Sequence, residues 1–208
     1  RGPGRLPVAR MALQPVERPM IAAVLPAVGF GNKLPLLVPQ GMPAAQGARC
    51  AALVAANLNS FAFDFVARQK LQGQTINLFI LEQLPMISPE RFEAPLPGRF
   101  AESMRELGLM NGHHPQPTFA DFIVPQVLAL SYTAHDLAPF ARDLGYVDAA
   151  GSPLPPFAWD GAQRRARMAA LDALFMHLYG LDAADAAYIL DTFPIVAQQD
   201  MVAFGCYR

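Results

Sequence analysis

Residues 48–70 read Ala-Arg-Cys-Ala-Ala-Leu-Val-Ala-Ala-Asn-Leu-Asn-Ser-Phe-Ala-Phe-Asp-Phe-Val-Ala-Arg-Gln-Lys. Val54, Leu58, Phe61 and Phe65 fall three or four apart, so one helical face carries the apolar side chains. Neither Gly nor Pro interrupts the run, and the pattern predicts a single helix from Ala48 to Lys70 that ends at Gly73. What lies on either side then decides the fold class. Upstream, Ile21–Leu25 and Leu34–Val38 have the composition of short strands, with Pro35 suiting the second to a sheet edge. Downstream, Thr75–Leu81 is also β-prone and closes at Gln83-Leu84-Pro85. A small mixed β-sheet with one long helix is therefore expected at the front.

Beyond Ser88 the expectation is helical. Ser88-Pro89-Glu90 combines a capping residue with proline in the first turn. Further helices are expected at Phe100–Leu107, Phe119–Ser131, His135–Leu144, Asp160–Tyr179 and Asp182–Thr192, the last with Asp182 as N-cap and Pro194 past its end. Pro125 leaves the extent of the second open. In Asp160–Tyr179, Met168, Leu171, Phe175 and Leu178 form an apolar stripe of the kind that packs into a core. The class is α+β: a sheet-and-helix unit over 1–87 packed against a mainly helical unit over 88–208.

Composition narrows the function. The 208 residues are 53% hydrophobic and 16% charged, which excludes a disordered chain. The longest apolar stretches are interrupted by Pro26, Pro35, Pro39 and Pro43, so no membrane span is expected. Residues 1–10 lack the apolar core of a secretory signal, and Cys50 and Cys206 form no paired motif; the expected location is the cytoplasm. The first residue is arginine, consistent with a piece of a longer protein.

The net charge of −1 conceals an asymmetry. Residues 1–72 carry eight basic side chains against two acidic ones, leaving eight basic and fifteen acidic in the remainder. A basic front beside an acidic rear suits a protein with one face toward a polyanion. Arg10, Arg18, Lys33, Arg68 and Lys70 are candidates for phosphates, and Asn32, Gln69, Gln72 and Gln74 for base edges, because side-chain amides pair with adenine's donor–acceptor edge. The densest group, Arg68-Gln69-Lys70-Leu71-Gln72-Gly73-Gln74, lies where a helix runs into a loop. The structural alternative is a solvated helix end favoured by the macrodipole.

Other chemistries fail on spacing. The chain has no GxxxxGK[ST] loop, HExxH, paired CxxC or GxSxG, and neither of its lysines, Lys33 and Lys70, completes a nuclease ExK motif. Val28-Gly29-Phe30-Gly31-Asn32-Lys33 has G-x-G spacing, but Pro35 keeps the chain extended where a phosphate loop would enter a helix. Ser131 and His135 would share a helix face, with Asp136 turned elsewhere, so no triad is expected. His113-His114 has no thiol or carboxylate at metal-ligand spacing.

Two rear segments, Leu128–Tyr146 (LALSYTAHDLAPFARDLGY) and Pro155–Val196 (PPFAWDGAQRRARMAALDALFMHLYGLDAADAAYILDTFPIV), resemble the C-terminal region of large bacterial adenine-specific DNA methyltransferases of restriction–modification and phage-defence systems, most distinctively at AYILDTFPIV. Val8-Ala9-Arg10, Glu17-Arg18, Ile21–Pro26, Phe30-Gly31-Asn32-Lys33, Asn57–Lys70 and Asn77–Pro85 resemble the same family's target-recognition region. The sequence contains neither the family's NPPY-type loop nor its glycine-containing donor loop, and Pro19 follows Glu-Arg where the family has Thr. The resemblance implies a DNA-recognition fragment that itself binds no cofactor. Its partners would be double-stranded DNA and an upstream catalytic domain in the same polypeptide, which would use S-adenosylmethionine. Two alternatives are a helical docking module with a protein partner and a hydrolase built on Ser131 and His135.

Overall fold

The computed structural model describes residues 18–29, 36–70, 78–110 and 116–205. Among them the chain forms ten α-helices: α1 (Ala44–Leu58), α2 (Phe61–Lys70), α3 (Leu78–Leu81), α4 (Pro89–Phe92), α5 (Gly98–Glu106), α6 (Phe119–Ser131), α7 (Ala138–Asp143), α8 (Gly161–Leu178), α9 (Ala183–Asp191) and α10 (Pro194–Phe204). The described residues are 59% helical with 4% strand and form no sheet, which overturns the expected mixed β-sheet and the α+β class.

The missing sheet has a local cause. Residues 20–25 form no strand but carry isolated bridge positions at Met20 and Val24, and side chains of the helices take the Met20 N–H and both backbone groups of Ala22. Asn59 accepts from the Ala22 N–H at 3.0 Å and donates to the Ala22 carbonyl at 2.8 Å. The Met20 N–H donates to Asp64 Oδ1 at 3.1 Å. A segment whose pairing groups are satisfied in this way needs no neighbouring strand. In the second expected strand, residues 36–38 are irregular apart from a single bridge position at Leu37, and 34–35 lie outside the described residues. In the third, Leu78–Leu81 is a helical turn and 75–77 lie outside.

The expected single helix over 48–70 is two helices that meet at 67°. Polar side chains at the junction compete with the helical ladder. Asn59 donates back to the Ala55 carbonyl at 2.7 Å, and the Ser60 hydroxyl donates to the Asn57 carbonyl at 2.9 Å. That same hydroxyl accepts from the Phe63 N–H at 3.3 Å and so caps α2. The Phe61 N–H, an orphan donor of the new first turn, is met at 2.9 Å by Asp172 Oδ1 from α8.

Downstream, Asp182 caps α9 as expected and forms a reciprocal box with Asp185, whereas Ser88 makes no side-chain cap bond to α4; Thr118 and Asp121 form a further box on α6. Asp160 caps α8 through the Ala162 and Gln163 amides. α6 continues through Pro125 to Ser131. Pro194, read as the residue beyond the last helix, is instead the first residue of α10.

One core crosses the 87/88 position. The small side chains Ala48, Ala51, Ala52 and Ala55 recur on one face of α1, which packs chiefly on α6, while α2 packs on α8 and α9. Met20, Val24 and Leu58 from the front share a cluster with Phe122, Ile123, Phe140, Leu174 and Phe175 from the rear. A smaller cluster joins Phe61 and Ala62 to Met176, Ile189, Phe193 and Val196. No single helix among the described residues is long and apolar enough to cross a membrane.

Candidate functional site

Of the nine residues expected to face DNA, Arg10, Asn32, Lys33, Gln72 and Gln74 lie outside the described residues. The remaining four divide into two kinds. Gln69 and Lys70, in the last turn of α2, are exposed. Arg18 and Arg68 are turned into the protein.

Arg18 donates to Asp172 Oδ2 at 2.7 Å and to the Asn59 carbonyl, and its guanidinium lies 3.5 Å from the centre of the Phe61 ring. Its side chain is only 13% exposed. Arg68 donates to the Thr192 carbonyl at 2.8 Å and lies 3.8 Å above the Phe193 ring. Phe61 and Phe193 meet edge-on at 4.6 Å, so the two cation–ring pairs are joined through their rings. Both guanidinium groups are committed to a backbone carbonyl and an aromatic face, and Arg18 to a carboxylate as well, which turns them away from an approaching phosphate.

Two carboxyls complete this corner. Asp64 is fully buried on α2, and only one of its oxygens, the one bonded to Met20, has a hydrogen-bond partner. Burial pushes its pKa up to about 6, against the pull of the Met20 N–H and of Arg68 and Arg18; nearby Asp172 adds to the rise. Burial also lifts Asp172 above the usual carboxylate range, opposed by Arg18 and the Phe61 N–H. Both had a sequence signal that was not read. Asp64 stands between Phe63 and Phe65, and Asp172 interrupts the apolar stripe of α8 between Leu171 and Leu174. A lone carboxylate within an apolar face requires a buried partner.

A second polar anchor lies nearby. Asn57, fully buried, donates to the Tyr179 hydroxyl at 2.6 Å and accepts from the Ile87 N–H at 2.9 Å. Tyr179 in turn donates to the Pro85 carbonyl at 2.7 Å, and burial pushes its phenol up to about 12. Front and rear are thus tied by buried polar groups as well as by apolar packing.

Beside the corner, a groove of about 680 Å³ opens between residues 18–24, α1, α6 and α8, with Ser131 and Arg164 among its lining residues. Ser131 does not meet the His135 and Asp136 side chains on a shared helix face. Tyr132 ends α6, and His135 and Asp136 are exposed on a separate 3-10 turn. His113 and His114, and residues 30–33 of the G-x-G segment, lie outside the described residues. Among the described residues no three His, Cys, Asp or Glu side chains converge as a metal site. No family model, curated protein or solved structure matches this chain.

Proposed function

We propose that this chain is the DNA-recognition region of a site-specific adenine DNA methyltransferase of restriction–modification type, which holds a duplex for a catalytic domain elsewhere in the same polypeptide. An enzyme that modifies a base must extrude it, so a second module has to grip the duplex meanwhile. The observation that carries the reading is the meeting of separate segments of the family resemblance in one corner. Arg18 of Glu17-Arg18, Phe61 and Arg68 of Asn57–Lys70, Asp172, and Thr192-Phe193 of AYILDTFPIV bond or stack on one another there. These widely spaced residues have a joint structural purpose: they fix the direction in which α2 presents its C-terminal turn.

The DNA-facing set contracts accordingly. Arg18 and Arg68 become positioning residues. Gln69 and Lys70 remain as exposed contacts, followed in the chain by the nominated Gln72 and Gln74, with Arg10, Asn32 and Lys33 completing the set. The methyl donor, S-adenosylmethionine, belongs to the catalytic domain, because neither the donor loop nor the NPPY-type loop occurs in this sequence.

The test is duplex binding by the full 208-residue chain at about 50 mM and about 200 mM salt. Binding is expected to weaken steeply with salt. Lys70→Gln should reduce the slope of log K against log salt by about one for the phosphate contact removed. Gln69→Ala should flatten sequence preference rather than the salt slope. Failure to bind any duplex at the lower salt overturns the proposal.

A second reading, docking on a protein, is favoured by the outer surface of α9 and α10. Tyr188, Ile195, Met201 and Val202 are all exposed there, Val202 at 84%. The occupant would be the catalytic domain of the same polypeptide, so this reading accompanies the first if the chain binds duplex and replaces it if the chain does not.

A further inference from the structure

The groove between residues 18–24, α1, α6 and α8 has a volume of about 680 Å³, within the range of sites that enclose small organic molecules. Its walls are mostly apolar, with Val24, Ala55, Val127, Leu130 and Leu171 contributing. Ala55 is one reason for the space, since a larger residue at that position on α1 would fill it.

Two guanidinium groups line this groove, and they differ in charge balance. Arg18 is neutralised by Asp172, and both of its terminal nitrogens are bonded. Arg164, in the first turns of α8, donates one nitrogen to the Leu130 carbonyl at 2.8 Å and lies 3.9 Å over the Trp159 ring. Among the described residues no carboxylate forms an ion pair with it. Asp160, the nearest in sequence, is committed to the Ala162 and Gln163 amides as the helix cap. Partial burial draws the Arg164 pKa down, the mark of a cation that has lost water without gaining a counter-charge. An anion beside Arg164 would supply that counter-charge, and only an apolar body would suit the walls behind it.

We propose that this groove binds a small apolar molecule carrying one carboxylate, with the carboxylate paired to Arg164 and the hydrocarbon body lying along α1, α6 and α8. This site is separate from the DNA-facing turn of α2 and does not depend on the DNA-recognition reading.

Trp159 is the only tryptophan of the chain and already stacks on Arg164, so its fluorescence reports directly on the site. Sodium decanoate, kept below its micellar concentration, is the probe, with decan-1-ol and decylamine as controls and calorimetry as a parallel readout. Decanoate is expected to bind saturably, about tenfold or more tightly than decanol, and decylamine not at all. Arg164→Gln should reduce decanoate to the affinity of decanol, and Ser131→Leu, which narrows the groove while retaining Arg164, should weaken decanoate and decanol alike. Equal affinity for decanoate and decanol overturns the proposal, as does decanoate binding that survives Arg164→Gln or a response that never saturates. If Arg164→Gln lowers the melting temperature too far to be used, the decanoate–decanol comparison on the unaltered chain decides alone.

Discussion

Asp64 reverses the usual dependence of stability on carboxylates. A surface aspartate that gains a salt bridge on folding has its pKa lowered and stabilises the fold above about pH 4. Asp64 is buried with one oxygen unpaired, and its pKa is raised to about 6 from an ordinary 3.8. The folded state therefore holds this proton more tightly than the unfolded chain does. The contribution is harmless below pH 4, becomes a penalty as pH rises from about 4 to about 6, and is complete above that, at about 3 kcal/mol. Urea unfolding at pH 4 and pH 7 should show this loss in the unaltered protein. In Asp64→Asn the difference between the two pH values should shift in favour of pH 7 by a comparable amount. A pH-independent difference between the two proteins would show that folding does not raise the Asp64 pKa. Asp172 acts with the same sign and is coupled to Asp64, so the comparison reads their joint contribution.

At the scale of elements, the single helix expected over 48–70 failed because its break depends on distant partners. Asn59 and Ser60 sit within a flawless apolar rhythm, and neither residue type ends a helix by itself. The break becomes intelligible only with Ala22 and Asp172 in place, 37 and 111 residues away in sequence from the groups they bond. Residues 20–25 were misread for the complementary reason: their composition is that of a strand, but their partner is the Asn59 side chain. The cap at Asp182 was legible because it acts within three residues, a range shared by the caps at Thr118 and Asp160. Asn59→Ala should cost about 2–3 kcal/mol, since it strands the Ala22 N–H and C=O, and Ser60→Ala about 1 kcal/mol. Hydrogen exchange at Ala22 distinguishes them, accelerating strongly in the first variant and little in the second. Pro125 offers a gain instead. It is exposed, lies inside α6 and provides no N–H for the Asp121 carbonyl. Pro125→Ala should raise stability by about 1–2 kcal/mol in chemical denaturation, the restored bond outweighing the greater freedom of the unfolded chain.

For the whole molecule, the division at 87/88 follows a real change in composition but not a boundary in packing. α1 rests on α6, α2 rests on α8 and α9, and Asn57 bonds to Tyr179. The full chain should therefore melt in one cooperative transition, and separate fragments 1–87 and 88–208 should each show none by near-ultraviolet dichroism. Cooperative melting of either fragment would restore two domains. The candidate DNA contacts were only partly legible for a related reason. Basic and amide residues can be counted in a sequence, but whether an arginine faces solvent depends on the rings it meets. Phe61 and Phe193, the rings beneath Arg18 and Arg68, lie 43 and 125 residues further along the chain.

The bond from the Phe61 N–H to Asp172 bears on the order in which the chain folds. The first turn of α2 receives this stabilising contact only after α8 has docked, so it is expected to form after the transition state. Asp172→Asn should leave refolding nearly unchanged and speed unfolding on the order of a hundredfold in stopped-flow chevrons. The corner that aims α2 would then act as a latch on lifetime: the last contact made as the chain folds and the first released as it opens.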